Sequence, residues 1–293
     1  MHKLKVMDVT LRDGGNRNNF HFNDQDLEQI LSPLDKSGID YVEIGYRNGA
    51  IRPVDNIGRA GLCDKKYLKT CQAHLQNTQI VVMAYPQNLT KEDLLDLIEQ
   101  GVSLLRLCVL RGDLKSAFPV VELSQQLGLK ASINLVHVSQ YGEEELDNAV
   151  KLATEFNPHV IYFADSNGTL HPERVKAMYD KYVEKYPISF GFHAHDNLGL
   201  AQANTIAAIQ SGVEYIDFSV GGMGKGIGNL RTEYFLAYLQ AKGLKKYNLE
   251  PILQAANYVR NTFNTEKDPI DMDEFIRGIY DLSTAEVKKL KIE

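Results

Sequence analysis

The 293-residue chain predicts an α/β fold, a (β/α)8 TIM barrel with a short C-terminal helical extension. Three observations predict it. Short, β-rich apolar runs recur eight times, segments of helical spacing lie between them, and glycine repeatedly joins the end of a helical segment to the next run.

The runs are Lys5–Leu11, Tyr41–Tyr46, Ile80–Tyr85, Leu104–Leu110, Lys130–Val136, Val160–Ser166, Ile188–His195 and Tyr215–Val220. Most are nearly continuous in apolar residues rather than alternating, the habit of parallel strands buried on both faces by helices. Among the intervening segments, Asp24–Ser37 places Leu27, Ile30, Leu31 and Leu34 on one face, and Lys91–Gln100 does the same with Leu94, Leu95 and Ile98. Glu143–Phe156 carries Leu146, Val150, Leu152 and Ala153, and Leu200–Ser211 carries Ala203, Ile206, Ala207 and Ile209. Gly38, Gly101, Gly128 and Gly212 punctuate the exits, giving the phrase helix, Gly, short strand in Ser37-Gly-Ile, Gln100-Gly-Val and Ser211-Gly-Val. Eight such units, the last helix spanning Leu230–Gly243, fit a closed barrel better than an open sheet of about five to seven strands. The expected organisation is a catalytic barrel over residues 1–243 and a helical extension over residues 244–293 packed on it. In the extension, Pro251–Phe263 and Asp271–Ile279 read as short amphipathic helices that cap the barrel or join a subunit contact.

Composition narrows the function. With 44% hydrophobic and 24% charged residues the chain is ordinary for a soluble globular protein. It is long enough to fold without a disulfide or a structural metal, so a metal site here would serve chemistry. The net charge of −6, from 32 basic and 38 acidic residues without long runs, argues against a nucleic-acid partner. Lys288-Lys289-Leu290-Lys291 reads as a solvated tail. Cys63, Cys71 and Cys108 are odd in number and form no C-x-x-C pair, so they read as reduced packing residues. Met1 to Asp8 lacks a signal-peptide pattern, and no segment approaches the roughly 18–20 apolar residues of a membrane span. The expectation is a cytoplasmic protein with no membrane partner, in which the sequons at Asn88 and Asn167 are incidental.

In barrel enzymes the catalytic groups sit at the C-terminal ends of the strands. Here those ends carry nearly all the polar clusters: Thr10-Leu-Arg-Asp-Gly-Gly15 after strand one, Glu43 and Tyr46-Arg47 on strand two, Asn134 and His137 at strand five. Asp165-Ser-Asn-Gly168 follows strand six, His193-Ala-His-Asp-Asn197 strand seven, and Gly221-Gly-Met-Gly-Lys-Gly-Ile-Gly-Asn229 strand eight. His193 and His195, two apart on a strand, point the same way with Cα atoms roughly 6.5–7 Å apart. Asp13 adds a carboxylate from the same rim, and Asn229 a neutral amide oxygen. Two His and one carboxylate leave open positions, as a catalytic metal requires. Each feature alone has a plainer reading. An H-x-H pair is more often structural, Asp13 and Asn229 suit turns or helix caps, and Arg12 suits a salt bridge to Glu43 or Asp165. Their coincidence at one rim carries the metal reading, with Arg12 as a cation for a developing oxyanion. The glycine-rich segment suits a cradle for a carboxylate or phosphate, with Gly222 and Gly224 supplying backbone N–H groups, or a flexible lid. It fits neither a P-loop nor a dinucleotide fingerprint.

Asp8-Val-Thr-Leu-Arg-Asp-Gly14, His193-Ala-His-Asp-Asn-Leu-Gly-Leu-Ala201 and Gly221-Gly-Met-Gly-Lys-Gly-Ile-Gly-Asn-Leu-Arg-Thr-Glu233 together resemble the HMG-CoA lyase-like (DRE-TIM metallolyase) superfamily. Within it the chain is similar to 4-hydroxy-2-oxovalerate aldolase-like proteins. The resemblance implies a metal held by Asp13, His193 and His195, with Asn229 a further ligand as in the lyase branch. It puts Arg12 on the enolate oxygen as the catalytic residue and Glu43 in the site; Asn134, Gly222 and Gly224, from their places at the rim, are the further substrate-binding candidates. It implies an aldolase acting on a 4-hydroxy-2-oxoacid through a metal-bound pyruvate enolate, with an aldehyde as the other product. Mn2+ or Mg2+ is favoured by two nitrogens and hard oxygens, and relatives also use Co2+ or Zn2+. The alternatives are an acyl-CoA lyase or Claisen-type acyltransferase of the same superfamily, and a non-catalytic metal- or ligand-binding barrel. Two positions depart from the pattern. Asn16 stands where pyruvate aldolases have a general-base His, with His21 nearby, and Met223 stands in the stretch where the lyase branch has a Cys. The C-terminal region is short, so no aldehyde dehydrogenase partner is expected, while a homodimer fits the terminal helices.

Overall fold

The computed structural model describes residues 3–50, 54–263 and 272–290. Eight strands, β1 (Lys5–Asp8), β2 (Tyr41–Tyr46), β3 (Gln79–Ala84), β4 (Val102–Val109), β5 (Lys130–Leu135), β6 (Val160–Asp165), β7 (Phe190–Ala194) and β8 (Tyr215–Phe218), pair in sequence order, each parallel to the next. β8 returns to β1, with Lys5 opposite Tyr215 and Asp8 opposite Phe218, and closes the barrel. Helices α1 (Asp24–Ser37), α2 (Lys65–Gln72), α3 (Lys91–Glu99), α4 (Phe118–Gln126), α5 (Glu143–Glu155), α6 (Pro172–Lys185), α7 (Ala201–Gln210) and α8 (Thr232–Ala241) alternate with the strands. The structure is thus a TIM barrel, as the periodicity predicts.

Local chemistry sets the boundaries. α1 begins at a capping box in which the Asn23 side chain accepts from Asp26 N and the Asp26 carboxylate accepts from Asn23 N. It ends at Gly38, whose φ of 77° is the left-handed turn that glycine enters most cheaply. β1 stops three residues earlier than the apolar run suggests. The Asp8 carboxylate accepts from both Thr10 N and Thr10 Oγ1, each at 2.9 Å, and Asp13 N donates back to Val9 O at 2.8 Å. That turn lifts Arg12 and Asp13 onto the rim. β7 is likewise shorter than Ile188–His195. His195 leaves the strand to form a bridge with Asn229 of the loop after β8.

Two apolar cores result. A large one lies between the outer face of the sheet and the helices, and a small one inside the barrel contains Met7, Val9, Tyr41, Val81, Leu104, Val160, Tyr162 and Tyr215. Side chains two apart on a strand share a face, so β4 directs Leu104 into this inner core and places Arg106 and Cys108 above it.

The C-terminal region contributes α9 (Leu249–Phe263), α10 (Met272–Tyr280) and α11 (Thr284–Leu290). α9 lies against α1, where Tyr258 Oη donates to Asp26 at 2.7 Å and Phe263 meets Phe22 edge-on. The α10–α11 segment sits on the catalytic rim. Arg277 donates to Ser166 O at 2.9 Å, Thr169 Oγ1 to Gly278 O at 2.5 Å, and Ser139 and Asn167 both donate to Asp281. Asp271 and Lys291, which the sequence reading includes in this region, lie outside the described residues. Among the described residues no helix is long and apolar enough to cross a membrane, and all three cysteines are buried free thiols.

Candidate metal centre

β1, β7 and β8 bring their C-terminal ends together, and with them three ligand groups. Asp13, His193 and His195 are all buried and offer donor atoms within 4.8 Å of one another, the one cluster of its kind among the described residues. The two imidazoles face each other through Nε2, 3.3 Å apart, and His195 Nε2 lies 3.8 Å from Asp13 Oδ2. Asn229 comes from the loop after β8. Its Nδ2 donates to Asp13 Oδ2 at 2.9 Å, while its Oδ1 is buried without a partner. An orphaned amide oxygen, two facing imidazole nitrogens and a carboxylate are the donor set a divalent cation satisfies, so the residues fit the group that the sequence implies.

These ligands belong to a closed ring of contacts. Asp13 Oδ1 accepts from Arg12 Nη1 at 2.7 Å, and Arg12 Nε donates to Glu43 Oε2 at 2.6 Å. Arg106 Nη1 approaches the same Glu43 oxygen at 3.1 Å, and Arg106 Nη2 donates to Asp217 Oδ2 at 2.6 Å. Asp217 Oδ2 in turn meets His193 Nδ1 at 3.1 Å, which leaves Nε2 for the ligand position. The Arg106 guanidinium also lies 4.0 Å above the Tyr162 ring. Burial alone would raise the carboxyl groups of Asp13 and Asp217. Arg12, helped by the hydrogen bond from the Asn229 amide, instead holds Asp13 far below the usual carboxylate range, and Arg106 with the hydrogen bond from His193 lowers Asp217. Burial depresses His195 to about 3, so its imidazole is neutral, the form that binds metal.

The ring opens on one pocket of about 170 Å³, lined by Arg12, Asp13, His193 and His195 together with Asn16, Tyr46, Tyr85, Cys108, Asn134, His137, Ser166 and Lys225. That is below the range of about 300–1,000 Å³ typical of drug-sized ligands and suits a small acid. Burial pushes the Cys108 thiol up to about 11, which removes it as a nucleophile at neutral pH.

The structure distributes the remaining sequence-selected residues differently. Glu43 is fully buried behind Arg12 and is not part of the pocket wall. Asn134 lines the pocket, and in the amide orientation that satisfies both groups its oxygen accepts from Arg106 Nη2 at 2.7 Å. Gly222 and Gly224 are absent from the pocket wall and instead shape the loop. Gly222 O accepts from Asn229 N, and a Cβ on Gly224 would stand 2.6 Å from the Asn229 amide nitrogen. Asp165 does not pair with Arg12. It accepts from Thr169 N and Leu170 N, and burial raises it to about 6. His21 hydrogen-bonds to Asn56 O and is absent from the pocket wall. The residues that sequence reasoning missed are Arg106, Asp217 and Tyr162. Their signal was a single charge or tyrosine at an inward-facing position of an otherwise apolar strand, as in Leu104-Leu-Arg-Leu107 and Tyr215-Ile-Asp-Phe218.

A buried site of two histidines and a carboxylate, open to a small polar pocket at the C-terminal rim of a (β/α)8 barrel, defines the class as a barrel enzyme built around a candidate divalent-metal centre. The family model described as HMGL-like matches residues 3–259, and the chain belongs to that family. It is 31% identical to an oxaloacetate decarboxylase of Mycobacterium tuberculosis over 98% of this chain and 85% of that protein. A 4-hydroxy-2-oxovalerate aldolase of Carboxydothermus hydrogenoformans is also 31% identical, over 82% of this chain and 72% of that one. Among solved structures, the N-terminal domain of an aldolase candidate from Bacteroides vulgatus superposes with a TM-score of 0.86 at 27% identity, covering 98% of this chain and 96% of that one.

Proposed function

We propose that the chain is a divalent-metal-dependent carbon–carbon lyase, an aldolase that cleaves a 4-hydroxy-2-oxoacid and releases pyruvate. The observation that carries this reading is the ring itself: three ligand groups and Arg12 face one small pocket. Asp13, His193 and His195 would hold the metal, with Asn229 Oδ1 as a further donor. We favour Mn2+ or Mg2+ for such a mixed nitrogen and oxygen set. A bound ion supplies Lewis-acid polarisation of the 2-oxo carbonyl.

The chain's own groups account for the rest. In the cleavage the C4 hydroxyl loses its proton, the C3–C4 bond breaks, C4 becomes a carbonyl, and the electron pair passes to C3 as the enolate of pyruvate. Protonation at C3 then completes the product. Arg12, fixed by Asp13 and Glu43, presents a permanent cation to the enolate oxygen. Asn16 donates its amide to Asp13 O and cannot accept a proton as an imidazole does. His137 does line the pocket, and burial, then Lys225 and Arg277, keep it below its ordinary pKa, so it is neutral and able to take the hydroxyl proton at pH 7. The barrel of residues 1–243 supplies all of these groups. The free cysteines fit a cytoplasmic protein.

A second reading has one specific support, the decarboxylase of Mycobacterium tuberculosis, which matches nearly the whole chain. Loss of CO2 from a 3-carboxylated 2-oxo acid leaves the same pyruvate enolate, so both reactions use the same half-site. Deuterium exchange into the pyruvate methyl group, followed by NMR with Mn2+ and with chelator, tests that shared half. Metal-dependent exchange is the expected result, and no exchange with metal bound would contradict it. Turnover of 4-hydroxy-2-oxovalerate against oxaloacetate then separates the two readings.

A further inference from the structure

The carboxylates around the pocket are all engaged. Asp13 meets Arg12 and Asn229, Glu43 meets both arginines, and Asp217 meets Arg106 and His193. Lys225 is different. It stands between Gly224 and Gly226 in the loop after β8, its backbone N donates to Asp13 Oδ2 at 3.2 Å, and its side chain reaches the pocket. Its ammonium forms no ion pair among the described residues. The carboxylates that act on it, Asp13 and then Glu274, are engaged elsewhere, Asp13 with Arg12 and Asn229 and Glu274 with Arg277 at 2.5 Å and Asn197 at 2.9 Å. Ser166 lines the same pocket, where its Oγ accepts from His137 N at 3.0 Å and keeps its own hydroxyl hydrogen to donate. The pocket thus holds an ammonium without an ion-pair partner and a hydroxyl free to donate.

We infer that Lys225, with the Ser166 hydroxyl, is the specificity determinant for a second anionic group on the substrate, so that the enzyme takes a 2-oxo acid with a carboxylate at its far end. The inference rests on the aldolase reading and narrows it to 4-hydroxy-2-oxo dicarboxylic acids. The C1 carboxylate and 2-oxo group would lie at the ligand cluster, and the distal carboxylate would pair with Lys225. Cleavage then yields pyruvate and an anionic carbonyl compound, such as a 2-oxo acid, in place of a neutral aldehyde. A charge-assisted hydrogen bond supplies this discrimination because the competing neutral tail leaves the ammonium unpaired in a confined pocket.

The test is calorimetric binding of two non-cleavable acids of equal chain length, 2-oxoglutarate and 2-oxopentanoate, to the Mn2+-loaded chain. The dianion should bind about tenfold or more tightly, the size of one charge-assisted contact. Lys225→Met should collapse that ratio toward one, and Lys225→Arg should restore most of it. Equal binding by the unaltered protein, or a preference that survives Lys225→Met, would overturn the assignment. If neither acid binds while pyruvate still exchanges its methyl protons, the aldolase reading stands and the dianion inference falls. If exchange also fails, both fall.

Discussion

The lower and upper halves of the barrel interior are built from the same strands and are equally buried, yet their chemistry is opposite. Below, Met7, Tyr41, Leu104, Val160 and Tyr215 form an apolar plug, with Tyr41 and Tyr215 rings 6.1 Å apart. One inward step higher on β2, β4 and β8 stand Glu43, Arg106 and Asp217, all essentially inaccessible to water. Tyr162 joins the two halves, its ring packed under the Arg106 guanidinium. Burying so many charges is costly, and the upper half tolerates it because each charge in the ring has an opposite partner and the ring ends on metal ligands. The contrast teaches that the plug supplies stability, while the charged layer spends some of it to aim His193 and Arg12.

The comparison is broken most severely at Arg106. Arg106→Met leaves Asp217 buried without its guanidinium partner and Glu43 with Arg12 alone, and should cost about 3–5 kcal/mol in urea unfolding, with metal affinity lost as well. Leu104→Ala, one layer down on the same strand, should cost about 2–5 kcal/mol through a cavity but leave Mn2+ affinity intact. If Leu104→Ala weakened the metal as much as Arg106→Met, the two halves would not be separable. A milder change sharpens the point. Asp217→Asn keeps the shape and removes the charge behind His193, and should weaken metal binding about 10–100-fold in calorimetric titration. Unchanged affinity would restrict Asp217 to balancing Arg106.

The smallest effect separates two carboxylates of one motif. Asp13 is held ionised by Arg12, whereas Asp8 accepts only neutral donors, from Thr10 and Thr232, and burial raises it to about 7 from 3.8. A raised acid binds its proton more tightly in the folded state. Its contribution is therefore complete below pH 3.8 and is lost as pH rises through about 7. Asp8→Asn cannot ionise, so the fall in unfolding free energy between about pH 4 and 7 should flatten in that variant. An unaltered slope would assign it to other groups, among them Asp165, which burial raises to about 6.

Much of this architecture was legible in the chain. The strand runs and the bounds of α1 follow from apolar periodicity, a capping box and a left-handed glycine, all local signals. The triad was legible because Asp13, His193 and His195 end predicted strands in recognisable motifs. Arg106 and Asp217 were not, because a lone charge inside an apolar run declares its role only once the barrel's closure shows which face points inward. Glu43 read as a substrate contact because its place at the rim was visible, while its depth behind Arg12 was not. Lys225 passed as part of a glycine-rich loop, since nothing local says where its ammonium lies. The position of α10 on the catalytic rim depends on long-range contacts such as Arg277 to Ser166 O, which no periodicity encodes.

The central claim is that this ring holds a divalent metal, and pulsed electron paramagnetic resonance of bound Mn2+ tests it most directly. The account predicts one Mn2+ per chain with hyperfine coupling to two imidazole nitrogens, one of which disappears in His193→Gln. A Mn2+ signal without imidazole coupling, or one unchanged when both His193 and His195 are replaced, would contradict it.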